Sequence, residues 1–265
     1  MLAYMLLSIF GGIVLVFIIF DPKAIPGLWH ARIIAILLNH LVWKRSQPSL
    51  SSDGPSALFR PLRTRSYCSI TEVDFNLHKS NSTFYADLDI SRIELLLSLF
   101  KDVITPLSPP AREGGTAESA EKDGRRKLKH LTPALGGVSC IFRREIKPWQ
   151  RYDLVSRVLC WDDKWLYIVS HFLKPSDHNG ASLAASEDQI FASAISEYVF
   201  KGGRRTVKPR EILRYLRFLG DFADADADTD AARIGLGADV IEEDDQRTRC
   251  KGAKVEMERP HGWVR

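Results

Sequence analysis

The stretch Val73-Asp-Phe-Asn-Leu-His-Lys-Ser-Asn-Ser-Thr-Phe-Tyr-Ala-Asp-Leu-Asp-Ile-Ser-Arg92 sets an acid, a histidine and several short amide or hydroxyl side chains ahead of an apolar run. Ile90, Ile93, Leu96, Leu97 and Phe100 recur at helical spacing, which predicts a largely buried helix beginning near Asp89. The polar run then falls at or before the helix N-terminus, where free backbone N–H groups and the positive end of the dipole attract negative charge. Such a place suits a carbonyl oxygen that turns negative during acyl transfer.

Downstream the pattern changes from helical to strand-like. Val138–Arg144, Tyr152–Cys160, Trp165–Phe172 and Gln189–Phe200 carry apolar, aromatic or β-branched residues in alternation. Trp161-Asp-Asp-Lys reads as a hairpin turn, Ser176 to Ser186 as a loop, Gly202-Gly203 as a turn or bulge, and Arg210–Leu219 as a short amphipathic helix. Upstream, Leu62 to Val73 reads as the first strand and delivers Asp74 at its end. One buried helix with consecutive antiparallel strands predicts an α+β fold whose sheet wraps round the helix.

A chain of 265 residues exceeds what one such domain needs. Residues 1–20 contain no charged side chain and match a bilayer's hydrocarbon thickness, so they read as an uncleaved transmembrane anchor rather than a signal peptide. Residues 21–49 read as an interfacial helix (the apolar run 31–43) and linker, with Gln47 to Pro61 rich in Ser and Pro; packing of that helix on the soluble domain is the rival reading. Residues 50–219 form the soluble domain, with a disordered insert at 108–130 whose Arg125-Arg126-Lys127 has the chemistry to meet anionic lipid. Residues 220–265 read as a low-complexity, disordered tail whose alternating Asp lacks the order of a calcium loop. The first basic residues follow the anchor, so the domain is expected to face the cytosol from the endoplasmic reticulum or another endomembrane.

A formal charge of +4 is too small and too scattered to imply nucleic acid. Cys68, Cys140, Cys160 and Cys250 lack metal-ligand spacing and read as reduced, mostly buried thiols; no metal is expected.

The opening stretch resembles the signature of hot-dog-fold thioesterases of the 4-hydroxybenzoyl-CoA type, through Asp74, His78, Ser80-Asn81, Phe84, Asp89 and Arg92. Cys140-Ile-Phe-Arg-Arg-Glu-Ile-Lys-Pro-Trp and Leu159-Cys-Trp-Asp-Asp-Lys-Trp-Leu-Tyr look like strands of the thioesterase superfamily member six branch and its fungal relatives. The resemblance covers roughly residues 50 to 215. It implies hydrolysis of an acyl-CoA or acyl-carrier-protein thioester by carboxylate-assisted water attack, without a cofactor, in a homodimer serving lipid or secondary metabolism.

By that resemblance Asp74 takes the position of the catalytic acid; read alone, it is a turn-forming Asp bonding its own backbone. His78 orients Asp74 or binds the thioester oxygen, or else satisfies loop carbonyls. Asn81, with Ser80, supplies donors near the thioester. Asp89 is a second acid or a first-turn complement to the dipole, three residues from Arg92. The sequence departs from the pattern at Leu77, where relatives carry Gly, and at Ser80, where they carry the first Asn. Asn81-Ser82-Thr83 is also a glycosylation sequon, expected to be unused in a cytosolic domain. Arg143, Arg144, Lys201, Arg204 and Arg205 are left unassigned as phosphate contacts. Two other readings stay open. Asp74-Phe-Asn-Leu-His78 echoes hot-dog enoyl-CoA hydratases, with a shorter spacing and no Pro, and the domain also suits a non-catalytic acyl-binding role at a membrane.

Overall fold

The structure, a computed structural model, describes residues 1–43, 55–104, 128, 130–175, 187–219 and 243–258. Six strands form one antiparallel sheet: β1 (Leu62–Tyr67), β2 (Thr132–Phe142), β3 (Arg151–Trp161), β4 (Leu166–Leu173), β5 (Ile190–Gly202) and β6 (Arg205–Val207). Their order is β1-β3-β4-β5-β2, with β6 pairing the end of β5. Of the helices, α1 (Leu2–Phe20) and α2 (Leu28–Leu38) precede the sheet, α3 (Asn81–Phe100) lies between β1 and β2, and α4 (Pro209–Tyr215) and α5 (Glu243–Glu258) follow it. This is the α+β hot-dog arrangement expected from the sequence.

The sheet packs on α3 through two apolar clusters. Leu95, Leu96, Leu99 and Phe100 meet Val158, Ile168 and Phe200 at one end. Phe84 and Leu88 meet Leu154, Phe172 and Ala192 at the other. A polar seam separates them: Ser91, Ser156 and Ser170 link hydroxyls at 2.8 Å steps, and buried Arg92 donates to Ser196 at 2.7 Å. Small hydroxyl residues let the helix approach the strands while satisfying one another's hydrogen bonds.

That seam explains why α3 begins at Asn81 rather than near Asp89. Its buried face carries Asp87, Ser91 and Arg92 beside Phe84 and Leu88, so apolar periodicity sets in late although the helix does not. Asp89 is therefore a mid-helix residue, and the dipole account of it does not apply. The first strand is also shorter than expected. β1 stops at Tyr67 because Ser69 and Glu72 cap a short 3-10 turn, with Ser69 Oγ accepting the Thr71 N–H and Glu72 Oε2 accepting the Ser69 N–H, each at 3.2 Å. Asp74 thus sits beyond that turn, not at a strand end. The four downstream strands match their expected ranges closely, β2 starting earlier, at Thr132.

At the N-terminus α1 is 19 residues long with no acid or base in its end turns. Side chains are described for only part of it, and among the described residues no helix is long and apolar enough to cross a membrane. The run 31–43 is helical throughout, as α2 and a following wider turn, Asn39–Trp43. Ile36, Leu37 and Leu41 pack on the first core cluster, while Ile34, Leu38, Val42 and Trp43 remain exposed.

The insert at 108–130 lies outside the described residues except Leu128 and His130, as do the linker residues 44–54, the loop 176–186, and 220–242 and 259–265 of the tail. Within that tail Glu243–Glu258 is helical, where a structureless segment was expected. Cys250 and Ala253 of α5 are buried with Cys160 and Tyr167, and Lys254 pairs with Asp162 at 2.8 Å. Cys160 and Cys250 form a disulfide across 90 residues, so these two are not the free thiols expected; Cys68 and Cys140 are.

Candidate active site

Asp74 and His78 stand on a six-residue loop, 73–78, between the 3-10 turn and α3. Backbone bonds close the loop like a small hairpin. Val73 bridges Lys79, the Asp74 N–H donates to the His78 carbonyl at 2.9 Å, and the Ser80 N–H donates to the Glu72 carbonyl at 2.8 Å. The Lys79 N–H reaches across to the Ile146 carbonyl at 2.8 Å, tying the loop to the segment before β3.

Within the loop, Asp74 Oδ1 accepts the Asn76 N–H at 2.9 Å, the Asx turn that its bare sequence context suggests. The same oxygen lies 3.6 Å from His78 Nδ1, and His78 Nε2 lies 3.9 Å from Glu145 Oε1. These separations exceed hydrogen-bond length and set the imidazole between two carboxylates. Asp74 and His78 side chains are about one-fifth exposed, at 23% and 22%, so both are reachable from outside. Leu77 adopts φ 62°, in the left-handed region that favours glycine, which is the residue the resemblance places there. Its side chain and that of Phe75 project outward, 74% and 91% exposed, and Trp149 (φ 57°) does so on the adjoining segment.

Asn81 is the first residue of α3 and is exposed; Ser80, the N-cap, makes no side-chain bond to the first turn. Asp74, His78 and Asn81 therefore gather at the foot of the helix. Asp89 does not join them. It lies about 12 Å along the axis from Asn81 and pairs with buried Arg92 at 2.5 Å.

Beneath the loop is a cluster that spacing along the chain did not reveal. Lys23, Glu72, Lys79 and Asp87 form a ring of alternating charge. Lys79 Nζ lies 2.8 Å from Glu72 and 2.9 Å from Asp87, and Lys23 Nζ lies 2.8 Å from Glu72 and 2.9 Å from Asp87. The Tyr152 hydroxyl also donates to Asp87. Burial pushes the Lys79 pKa down, but the Asp87 and Glu72 carboxylates outweigh it and hold the pKa above the ordinary lysine value. Burial pushes the Asp87 pKa up, yet Lys79, Lys23 and the Tyr152 hydroxyl bring it below the ordinary carboxylate value. Both directions favour the charged forms of Lys79 and Asp87 at neutral pH. The thiols are no rivals as nucleophiles: burial pushes Cys68 up to about 11 and Cys140 to about 12.

The family described as the thioesterase-like superfamily matches residues 68–208, spanning the loop, α3 and strands β2 to β6. Among individual proteins, the probable thioesterase atnL of Emericella nidulans is 44% identical over 210 residues, covering 75% of this chain and 68% of that protein. Thioesterase poxG of Penicillium oxalicum is 40% identical over 210 residues, covering 74% and 67%. Protein THEM6 of Xenopus laevis is 20% identical over 164 residues, covering 59% and 69%.

Proposed function

This chain belongs to the thioesterase-like superfamily, and we propose that it is a membrane-tethered hydrolase of an acyl thioester carried by coenzyme A or by a carrier protein. Asp74 is the catalytic carboxylate. It takes a proton from a water whose oxygen attacks the thioester carbonyl carbon. The tetrahedral oxyanion receives hydrogen bonds from the Asn81 amide and the first N–H groups of α3. Collapse breaks the C–S bond, the thiolate leaves, and the proton held by Asp74 passes to sulfur, so the reaction balances as acid plus thiol. His78 keeps the Asp74 carboxylate turned toward the substrate, and Asp89 serves as counter-ion to Arg92. The observation that carries this reading is the Asp74–His78 pair, accessible at the foot of a buried helix on a loop closed by backbone bonds.

The tether is α1, supported by its 19 residues without acidic or basic end turns and a length of about 28 Å. The exposed stripe of α2 then rests at the interface. The basic residues after α1 support a cytosol-facing domain. A lumenal domain is the reading that the Cys160–Cys250 disulfide favours, since such bonds persist in oxidising compartments. Protease protection in sealed microsomes, with glycosidase treatment to reveal sugar on Asn81, separates the two. A homodimer is supported by β2, an edge strand that leaves Leu135 and Ile141 exposed.

Thiol release from short, long and aromatic acyl-CoAs, by the full chain in detergent, tests the activity. Asp74→Asn is expected to lower kcat by about 100-fold or more with the fold retained. Equal turnover by parent and variant removes Asp74 from the mechanism. Hydration of crotonyl-CoA without thiol release replaces hydrolysis by the hydratase reading.

A further inference from the structure

We propose that Lys23, in the short segment that follows α1, is a positioning residue for the loop that carries Asp74, an inference that rests on the reading of Asp74 as the catalytic carboxylate. Lys23 lies far from Asp74 in sequence and touches no reacting atom. Its ammonium nevertheless lies within 2.8–3.3 Å of six oxygens: Ser66 Oγ, the Tyr67 carbonyl, both Glu72 carboxylate oxygens, Asp87 Oδ1 and the Tyr152 hydroxyl.

Glu72 and Lys79 are the residues immediately before and after the loop 73–78. They are paired with each other at 2.8 Å, and Lys23 and Asp87 close the ring on either side. Lys23 thus neutralises the second of two carboxylates that Lys79 alone cannot balance. Without it, Glu72 is drawn between repulsion from Asp87 and attraction to Lys79, and the entry to the loop loses its fixed direction.

The neighbours of Lys23 are built in too. Asp21 Oδ2 accepts from the Ser69 hydroxyl and the Ile70 N–H, each at 2.8 Å, and its Oδ1 accepts from the Tyr67 hydroxyl at 3.0 Å. The Lys23 N–H donates to the same Tyr67 hydroxyl at 3.0 Å. Asp21 is 1% exposed, and Lys23 11%, burial that a spacer between anchor and domain has no reason to show. The segment after α1 is therefore part of the foundation of the loop.

The test compares the full chain in detergent with Lys23→Met, which keeps the stem and removes the charge, and Lys23→Arg, which restores it. Two readouts are taken: kcat and KM on the acyl-CoA that the parent turns over best, and hydrogen exchange at the Asp74, Lys79 and Ser80 amides. Lys23→Met is expected to lower kcat about tenfold or more through misplacement of the carboxylate, with KM changed less than about twofold if binding is untouched. The three loop amides are expected to exchange faster while β3, β4 and β5 stay protected, and Lys23→Arg is expected to recover both readouts in large part. Parental kcat in a folded Lys23→Met protein, unchanged loop exchange, or acceleration spread evenly through the sheet overturns the proposal. If the parent hydrolyses no thioester, that result counts against the proposed reaction, and the exchange measurement still decides whether Lys23 holds the loop.

Discussion

Replacing Lys79 by Met isolates the energy stored under the loop. The Lys79 side chain has no exposed surface, and Met fills nearly the same volume without the ammonium. Each of its contacts, 2.8 Å to Glu72 and 2.9 Å to Asp87, corresponds to about 6 kcal/mol at an effective dielectric of 20. Desolvation of the ammonium offsets much of that, and breaking a buried pair by removing one partner costs about 3–5 kcal/mol overall. Glu72 and Lys23 keep slight contact with solvent, at 13% and 11% exposure, which favours the lower end. A loss of about 3 kcal/mol lowers the Tm of a domain this size by about 6–12 °C. Asp87→Asn leaves the opposite imbalance, two lysines against Glu72, and is expected to cost a similar amount. The double variant leaves Lys23 against Glu72, a neutral pair, so its loss should fall short of the summed singles by about 2 kcal/mol. Thermal unfolding followed by tryptophan fluorescence in mild detergent measures all three. A single-variant shift below about 2 °C, or losses that simply add, refutes the view that these charges act as one ring.

At Leu77 the left-handed backbone costs a side-chain-bearing residue about 1–2 kcal/mol, partly offset in glycine by about 0.5–1 kcal/mol of chain entropy. The expected order of Tm is therefore Leu77→Gly at or above the parent and Leu77→Val below it, and a more stable Val variant contradicts the φ of 62°. The pH dependence follows from Asp87 and Lys79. The depressed Asp87 pKa contributes stability that is present above the ordinary carboxylate value and is lost as pH falls through the folded one. The raised Lys79 pKa contributes stability present below the ordinary lysine value and lost as pH rises through the folded one. Tm should hold between about pH 5 and 9 and fall at both ends, with Asp87→Asn flattening the acid limb; an unchanged acid limb in that variant argues against its role. Maleimide labelling of the unfolded, unreduced chain should modify two cysteines, Cys68 and Cys140, and all four after reduction; four without reduction means that α5 is not cross-linked to β3.

The strands were legible because β3, β4 and β5 place Leu154 and Val158, Ile168 and Phe172, and Ala192 and Ala194 in one phase of a two-residue period, interrupted only by the small residues Ser156, Ser170 and Ser196. The start of α3 was not, because its buried face is paid out in Asp87, Ser91 and Arg92, whose partners are brought in from other strands and from residue 23. The proximity of Asp74 and His78 was readable because both fall on one short loop, whereas the place of Asp89 along its helix was not, because the helix starts eight residues before the apolar periodicity does. Lys23 carried no signal at all. A lone lysine after an apolar segment reads as a flanking charge, and the carboxylates it pairs with, Glu72 and Asp87, lie 49 and 64 residues away. Cys160 and Cys250, 90 residues apart, were equally silent.

Why a charged ring rather than an apolar plug should underlie the loop follows from what each can specify. Buried ion pairs are weak sources of stability, and apolar residues of similar volume often do as well or better. An apolar contact is indifferent to rotation, whereas alternating charges at 2.8–2.9 Å admit one arrangement and penalise its neighbours. The loop between Glu72 and Lys79 has little apolar surface of its own turned inward, since Phe75 and Leu77 point out. Its backbone bonds close it on itself, so its direction on the domain is set at its two ends, and those ends are the charges that Lys23 and Asp87 hold. The segment that leaves α1 and the loop that bears Asp74 are consequently joined through one set of alternating charges.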